Sequence, residues 1–327
     1  MTKFDWRDPL SLSDQLGEEE KLIQQTAAQF SSNELAKFLP IAFDAKGLSR
    51  EGYKAIGKAG LFGVTLPEEY GGAGSSYISY GLIAREVERI DSGFRSILSV
   101  QSSLVMYPIF KFGTTWQKQT YLKKLASGEL IGCFGLTEPE AGSDPAAMRT
   151  RAKKTSNGYI LNGSKTWISN ASIADIFIIW AKSEDEGGEI KGFIVERRNK
   201  GIETSKINGK LSMQTADTGS IYLTNVEVDE SSILPDCTGL KGPFSCLNLA
   251  RYGICWGVLG AAEDCWFRSY EYGIQRHQFS RPLAATQLYQ KKLVDMQTEI
   301  TLGLQASLRL GQLMDSQNAT PEMISLL

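Results

Sequence analysis

The chain predicts an α+β fold laid out as a helical block, a β block and a second helical block, with boundaries at residues 1–130, 131–240 and 241–327. Three observations carry this. Apolar residues recur at helical spacing from Glu18 to about Gly128. Between Leu130 and about Leu240 the period drops to two, in β-branched and aromatic runs. After Lys241 the helical period returns. A length of 327 residues suits two or three domains.

In the first block Leu22, Ala27, Phe30, Leu35 and Phe38 form the expected buried stripe. The cluster Gly71-Gly72-Ala73-Gly74 has neither a preceding strand nor a following Gly-Lys-Ser/Thr, so it reads as a loop and not as a phosphate cradle. In the β block, turns are expected at Asn157-Gly158, Asn162-Gly163 and Gly187-Gly188, with the acidic run Ser183-Glu184-Asp185-Glu186 at a hairpin tip. The last block divides into helices from about Gly242 to Gln275 and from about Pro282 to Gln317. Pro282 suits a first helical turn, and Leu293, Met296, Ile300 and Leu304 share one face of the second helix. With no internal repeat and no low-complexity linker, closely packed domains are expected.

Thirty-five Lys and Arg against 37 Asp and Glu give a net charge of −2. That balance argues against a nucleic-acid surface or a polybasic membrane patch, while leaving room for a local basic pocket. The five cysteines, Cys133, Cys237, Cys246, Cys255 and Cys265, form no Cys-x-x-Cys pair, and with His277 as the sole histidine no metal site is expected. A reducing compartment follows as the expectation. The N-terminus lacks signal and transit character and no apolar run approaches the ~20 residues of a membrane span, so a soluble intracellular protein is expected.

Two segments carry chemistry. Residues 131–145 read Ile-Gly-Cys-Phe-Gly-Leu-Thr-Glu-Pro-Glu-Ala-Gly-Ser-Asp-Pro, an apolar strand entering a turn rich in Gly, Pro and hydroxyls. Residues 165–170, Lys-Thr-Trp-Ile-Ser-Asn, set an aromatic beside a hydroxyl. Together they suit a flat heteroaromatic ring that needs backbone donors at its edge and an apolar surface on its face; the plainer reading is a strand, a turn and a core Trp. Arg95 follows the helix break Asp91-Ser92-Gly93, where Asp91 or Ser92 can cap. A cation in a first helical turn opposes the macrodipole, so Arg95 is either an ordinary surface arginine or the partner of an anionic ligand group.

"FGLTEPEAGSD" followed by "KTWISN" resembles the flavin-binding core of the acyl-CoA dehydrogenases, along nearly the whole chain. The run Asp91-Ser92-Gly93-Phe94-Arg95-Ser96, with Ser99-Val100-Gln101-Ser102-Ser103, is similar to the glutaryl-CoA dehydrogenases within that family. The resemblance implies an N-terminal helical domain, a middle β-barrel-like domain and an incomplete C-terminal helical bundle, with FAD as cofactor. It implies flavin binding by Phe134, Leu136, Thr137, Gly142 and Ser143, by Trp167, Ile168 and Ser169, and by Arg276 and Gln287. Ser143 also faces the acyl-CoA by the same resemblance. Arg95 would bind the distal carboxylate of the substrate, with Glu88 and Ser96 at the same end of the pocket. Phe244, Leu247, Asn248 and Arg251 match the helix along which the CoA chain lies.

The implied reaction is α,β-dehydrogenation of glutaryl-CoA by an oxidoreductase, followed in many relatives by loss of CO₂ to give crotonyl-CoA, as in lysine and tryptophan degradation. Electron transfer flavoprotein would be the acceptor and a homotetramer the assembly, in a bacterial cytoplasm or a mitochondrial matrix. The alternatives are a dehydrogenase or oxidase for another acyl-CoA, or a non-catalytic acyl-CoA-binding homologue. Several positions depart from the family pattern. Ala250 stands where some relatives carry the catalytic carboxylate, and the Tyr-Glu-Gly-Thr segment that carries it in glutaryl-CoA dehydrogenases does not occur, so the base is expected beyond Leu327 and the chain reads as a truncated one. Ser280 replaces a Gly, with strain expected if that Gly served a positive φ. Gln214 replaces an Arg. His277 is expected to be an exposed neighbour of the flavin motif and not a catalyst.

Overall fold

The computed structural model describes residues 4–185 and 187–327. The helices of the first block are α1 (Glu18–Asn33), α2 (Leu39–Ala45), α3 (Arg50–Lys58), α4 (Tyr77–Glu88), α5 (Ser92–Ser99), α6 (Tyr107–Phe112) and α7 (Thr115–Ala126). The strands are β1 (Gly132–Gly135), β2 (Arg151–Lys154), β3 (Gly158–Ser169), β4 (Ile176–Ser183), β5 (Ile190–Glu196), β6 (Ile202–Lys206) and β7 (Thr218–Asp229). Helix α8 (Lys241–Gln275), the short strands β8 (His277–Gln278) and β9 (Arg281–Pro282), α9 (Gln287–Asp315) and α10 (Pro321–Leu326) complete the chain. The expected order of helices, strands and helices is the observed one.

Contacts gather these elements into two compact units that do not follow chain order. One contains residues 34–75 and 96–250 and carries the curled seven-stranded sheet, ordered β1-β4-β2-β3-β7-β6 with β5 also on β4. The β1–β4 and β2–β4 pairs are parallel and the others antiparallel. β4 is buried over nearly its whole length, which explains its unbroken apolar run Ile176–Ala181. Residues Val100–Met106 continue α5 as a π-helical segment, a wide turn that often marks a function-bearing stretch. It turns Gln101 onto the sheet: Nε2 donates to the carbonyls of Leu125 and Leu130, and Oε1 accepts from the Gly132 amide at 3.0 Å. One buried side chain thereby fixes where β1 begins.

The other unit gathers the chain up to Asn33, residues 76–95 and residues 251–327. Here α4 packs with α1 and α9, and Gly260 of α8 leaves no room for a Cβ, which would fall 2.0 Å from the Arg85 carbonyl oxygen. Buried Arg85 is held bidentately by Glu263 at 2.6 Å for both bonds, a geometry that suits a planar guanidinium. Trp6 stacks on Phe267 and meets Trp266 and Tyr270 at a tilt.

Several local expectations are corrected. Leu22 is 64 % exposed, because α1 turns Ala27 and Ser31 inward instead. Asn162-Gly163 lies inside β3 and makes no turn. Gly163 is there because Thr150 crosses so close that a Cβ would meet its Oγ1 at 2.4 Å. Pro282 ends β9, and the helix begins at Gln287, since a short β8–β9 hairpin and a 3₁₀ turn at Leu283–Ala285 come first. Of the acidic run at the β4–β5 turn, Glu186 lies outside the described residues; Gly187 and Gly188 both take positive φ there. The Gly71 to Gly74 stretch is a loop. The five thiols are free, and among the described residues no cluster of His, Cys, Asp or Glu is suited to a metal ion. Among the same residues no helix is long and apolar enough to cross a membrane.

Candidate functional site

In the sheet-bearing unit, the two motif segments are joined by a buried ion pair. Lys165 Nζ, fully buried, donates to Glu138 Oε1 at 2.8 Å and to the Leu136 carbonyl at 3.1 Å. Glu138 also accepts from the amides of Arg149 and Thr150 and from the Thr150 hydroxyl. Burial pulls the Lys165 ammonium down to about 8, although Glu138 opposes the shift. For Glu138, burial acts upward and is outweighed by Lys165 and the donors of Arg149 and Thr150, so its carboxyl lies below the ordinary range. The Thr166 amide donates to the Thr137 carbonyl at 2.9 Å, a second tie between the segments. Phe134, Leu136, Thr137, Trp167, Ile168 and Ser169 thus share one scaffold.

That scaffold decides where Trp167 points. Along β3 the side chains of Tyr159, Leu161 and Lys165 are buried at odd positions, and alternation would bury residue 167 as well. The register with β7 instead shifts between Lys165, opposite Ile221, and Ile168, opposite Gly219, so one extra residue is accommodated on β3. Beyond the bulge the even position Ile168 is buried, and Trp167 is left 64 % exposed with a left-handed backbone at φ 59. Such a conformation costs a non-glycine residue about 1–2 kcal/mol. The core-Trp reading fails, and an exposed aromatic held at a cost is what a ring-binding surface requires. Asn170, also at positive φ, is buried. Its Nδ2 donates to the Gly132 carbonyl, and its Oδ1 accepts from the Tyr53 hydroxyl at 2.6 Å, fixing the end of β3 to the start of β1.

Within the loop, Gly142 and Ser143 are exposed. Gly142 does not have positive φ, and a Cβ built on it would meet nothing within 4 Å. The chain's own packing therefore does not demand glycine there, whereas a ligand lying against the backbone would.

Arg95 belongs to the other unit. The Asp91 carboxylate accepts from the Gly93 amide at 2.8 Å and caps α5, as expected. Arg95 is only 8 % exposed, which rules out the surface-arginine reading, and its Nε donates to the equally buried Glu88 at 2.6 Å. Among the described residues Glu88 is its one hydrogen-bonded partner, leaving the outer nitrogens of the fork uncommitted. Gly257 of α8 makes this pair possible, since a Cβ there would fall 2.1 Å from Glu88 Oε2 and 3.0 Å from Arg95 Cδ. Ser96, next along α5, is half-buried.

Along α8, Phe244, Arg251, Ile254 and Val258 form an exposed line at helical spacing, with Leu247 and Asn248 half-buried beside it and Ala250 turned inward. Arg276 and Gln287 flank the β8–β9 hairpin and are exposed. At its tip Phe279 and Ser280 take φ of 54 and 60, so the position held by Ser280 does require a left-handed backbone; Phe279 is 96 % exposed. His277 is exposed. Gln214 accepts from the Lys46 ammonium on the surface of the sheet-bearing unit.

Sequence reasoning missed Glu138, Lys165, Asn170 and Gly257. The available signal was a lysine at an inward position of a strand and a glutamate directly after the apolar strand Gly132–Gly135 and its turn, each of which needs a partner if buried.

Three domain models match in order: acyl-CoA dehydrogenase N-terminal domain over residues 17–129, middle domain over 133–226 and C-terminal domain over 238–327. An acyl-CoA dehydrogenase of Bacillus subtilis (strain 168) is 38 % identical over 284 residues, covering 86 % of this chain and 75 % of that protein. The structure of a glutaryl-CoA dehydrogenase from Mycobacterium smegmatis in complex with FADH2 superposes with a TM-score of 0.94 at 41 % identity, over 98 % of this chain and 82 % of that one. A glutaryl-CoA dehydrogenase in complex with glutaryl-CoA has a TM-score of 0.87 at 31 % identity, over 92 % and 78 % of the two chains.

Proposed function

Because this chain belongs to the acyl-CoA dehydrogenase family, we propose that it is the flavin- and substrate-binding body of an enzyme that oxidises glutaryl-CoA between its α- and β-carbons, with loss of CO₂ to give crotonyl-CoA. The observation that supports this substrate is Arg95: a buried guanidinium with one carboxylate partner and an open fork matches the distal carboxylate that distinguishes glutaryl-CoA from monocarboxylic thioesters. Glu88 holds that fork from behind, and Gly257 gives Glu88 the space to do so.

FAD is the assigned cofactor, and when bound it supplies the two-electron oxidant. The residues that would hold it are those whose form the chain's own packing leaves unexplained: Gly142 with open space before it, and Trp167 turned outward. Phe134, Leu136, Thr137, Ser143, Ile168 and Ser169 belong to the same surface, and Arg276 and Gln287 are assigned to the cofactor's far end. Phe244, Leu247, Asn248, Arg251 and Ser143 are assigned to the acyl-CoA, and Ser96 to the carboxylate end. Ala250 carries no group able to take the α-proton, and no Tyr-Glu-Gly-Thr segment occurs within these 327 residues. Electron transfer flavoprotein is the proposed acceptor and a homotetramer the proposed assembly.

The test is the visible spectrum of the purified protein, mixed anaerobically with glutaryl-CoA or butyryl-CoA. Flavin bleaching that is faster with glutaryl-CoA is expected. Equal bleaching would favour another acyl-CoA as substrate, and a protein that never acquires flavin would favour the non-catalytic acyl-CoA-binding reading suggested by Ala250.

A further inference from the structure

The Lys165–Glu138 pair asks for an explanation beyond stability. Buried ion pairs are often no more stabilising than apolar residues of the same volume, and the use best attested for them is to select one register over another. Here there is a register to select. β3 has two possible alternations: one that continues through residue 167 and buries the Trp, and one that inserts a residue and exposes it. Lys165 is the last inward side chain before the insertion and Ile168 the first after it. An inward Lys165 meets Glu138 and the Leu136 carbonyl, and Ile168 fills the core beside Leu161 and Ile221. With both ends held, the extra residue can be accommodated only at Thr166 and Trp167. The Thr166 amide, bonded to the Thr137 carbonyl, holds the bulge against the same loop.

We infer that the Lys165–Glu138 pair is a positioning device that forces the β3 bulge and so holds Trp167 outward, in the orientation the flavin site uses. This inference rests on the flavin reading of that surface. Lys165 touches no ligand in this scheme and acts through residue 167.

The experiment uses Lys165→Met, which keeps the length of the side chain without its charge, and the double variant Glu138→Gln/Lys165→Met as the fallback should the single one fail to fold. Protein labelled with 5-fluorotryptophan and freed of FAD is read by ¹⁹F NMR, with the Trp167 line assigned by its loss in Trp167→Phe. The Trp167 line is expected to move or split in the Lys165 variants. FAD affinity, measured by titration, is expected to fall by about tenfold or more, the scale on which misplaced binding groups act. In a Trp167→Gly background, where residue 167 adopts a left-handed backbone unaided, Lys165→Met is expected to change FAD affinity by no more than about twofold, the ordinary limit of additivity.

An unmoved Trp167 line overturns the inference, and so does an equal loss of FAD affinity in both backgrounds. A wild-type protein that binds no FAD overturns the cofactor assignment instead, while the fluorine spectrum, recorded without FAD, still decides whether the pair positions Trp167.

Discussion

Arg95 plays two parts, and a pair of substitutions separates them. Its Nε is bonded to Glu88 with both side chains almost wholly buried. Arg95→Met leaves that carboxylate without its counter-charge, and breaking a buried pair in this way costs about 3–5 kcal/mol of folding stability. Glu88→Leu/Arg95→Met replaces both charges by apolar side chains of similar volume, and such replacements are often neutral or stabilising by about 1–4 kcal/mol. Stability should therefore collapse in the single variant and largely return in the double one. Substrate preference should behave differently. If the free fork meets the distal carboxylate, losing it costs about 2–5 kcal/mol, roughly 30-fold to several-thousand-fold, in kcat/KM for glutaryl-CoA, whatever happens at Glu88. The assays are urea denaturation followed by circular dichroism, and the ratio of kcat/KM for glutaryl-CoA to that for butyryl-CoA. A double variant that regains stability and keeps the wild-type ratio would refute the reasoning, because Arg95 would then be a structural ion-pair partner and no more.

Ser280→Gly should raise stability by about 1 kcal/mol, as the ~1–2 kcal/mol strain of a left-handed serine is released against the freer unfolded state of glycine; an unchanged urea midpoint would contradict it. Lys165 gives a pH signature. Its amine titrates at about 8 when folded, against 10.5 ordinarily, so between these values the unfolded chain holds more protons and this residue's contribution to stability rises with pH. The stability difference between wild type and Lys165→Met should move toward wild type from pH 8 to 10.5, and a move the other way would count against the buried geometry. Thiol labelling of the native protein should modify Cys265, the exposed cysteine, ahead of Cys133, Cys237, Cys246 and Cys255, which are buried and whose thiols burial holds above the ordinary range. Native labelling of several thiols at one rate would be inconsistent with this.

What the sequence made legible was periodicity and local chemistry. Helix α8 was legible because apolar residues keep recurring from Lys241 to Gln275 with no turn cluster to interrupt them, and the capping of α5 by Asp91 because an Asx turn is a local event. Burial of Leu22 was misjudged because a helix of mixed polarity such as α1 takes its inward face from its neighbours, here α4. Asn162-Gly163 has a turn composition, yet its glycine answers to the approach of Thr150 from elsewhere in the chain. At the site, the segments around Phe134 and Trp167 were visible by composition. The exposure of Trp167 was not, since it depends on one extra residue in β3 relative to β7, and a register offset leaves no trace in either strand alone. Arg95 stood out as a cation against a helix dipole and Glu88 was placed near it by family resemblance, but that the two pair in the space made by Gly257 depends on the packing of α8, far along the chain.

The interleaving of the two units bears on how the chain is made. Residues 34–75 and 96–250 contain everything their unit needs, so the sheet and its helices can assemble once residue 250 has left the ribosome. The other unit cannot. Helices α1 and α4 are synthesised early, but the surfaces of α8 and α9 that pack with α4 come last, beginning at residue 251. Until those residues emerge, α1 and α4 have only each other to pack against, and exposure of that kind invites chaperone binding and aggregation. Slow translation or early termination within residues 251–327 should therefore harm the yield of soluble protein more than the same defect within the sheet-bearing stretch would harm folding of the sheet.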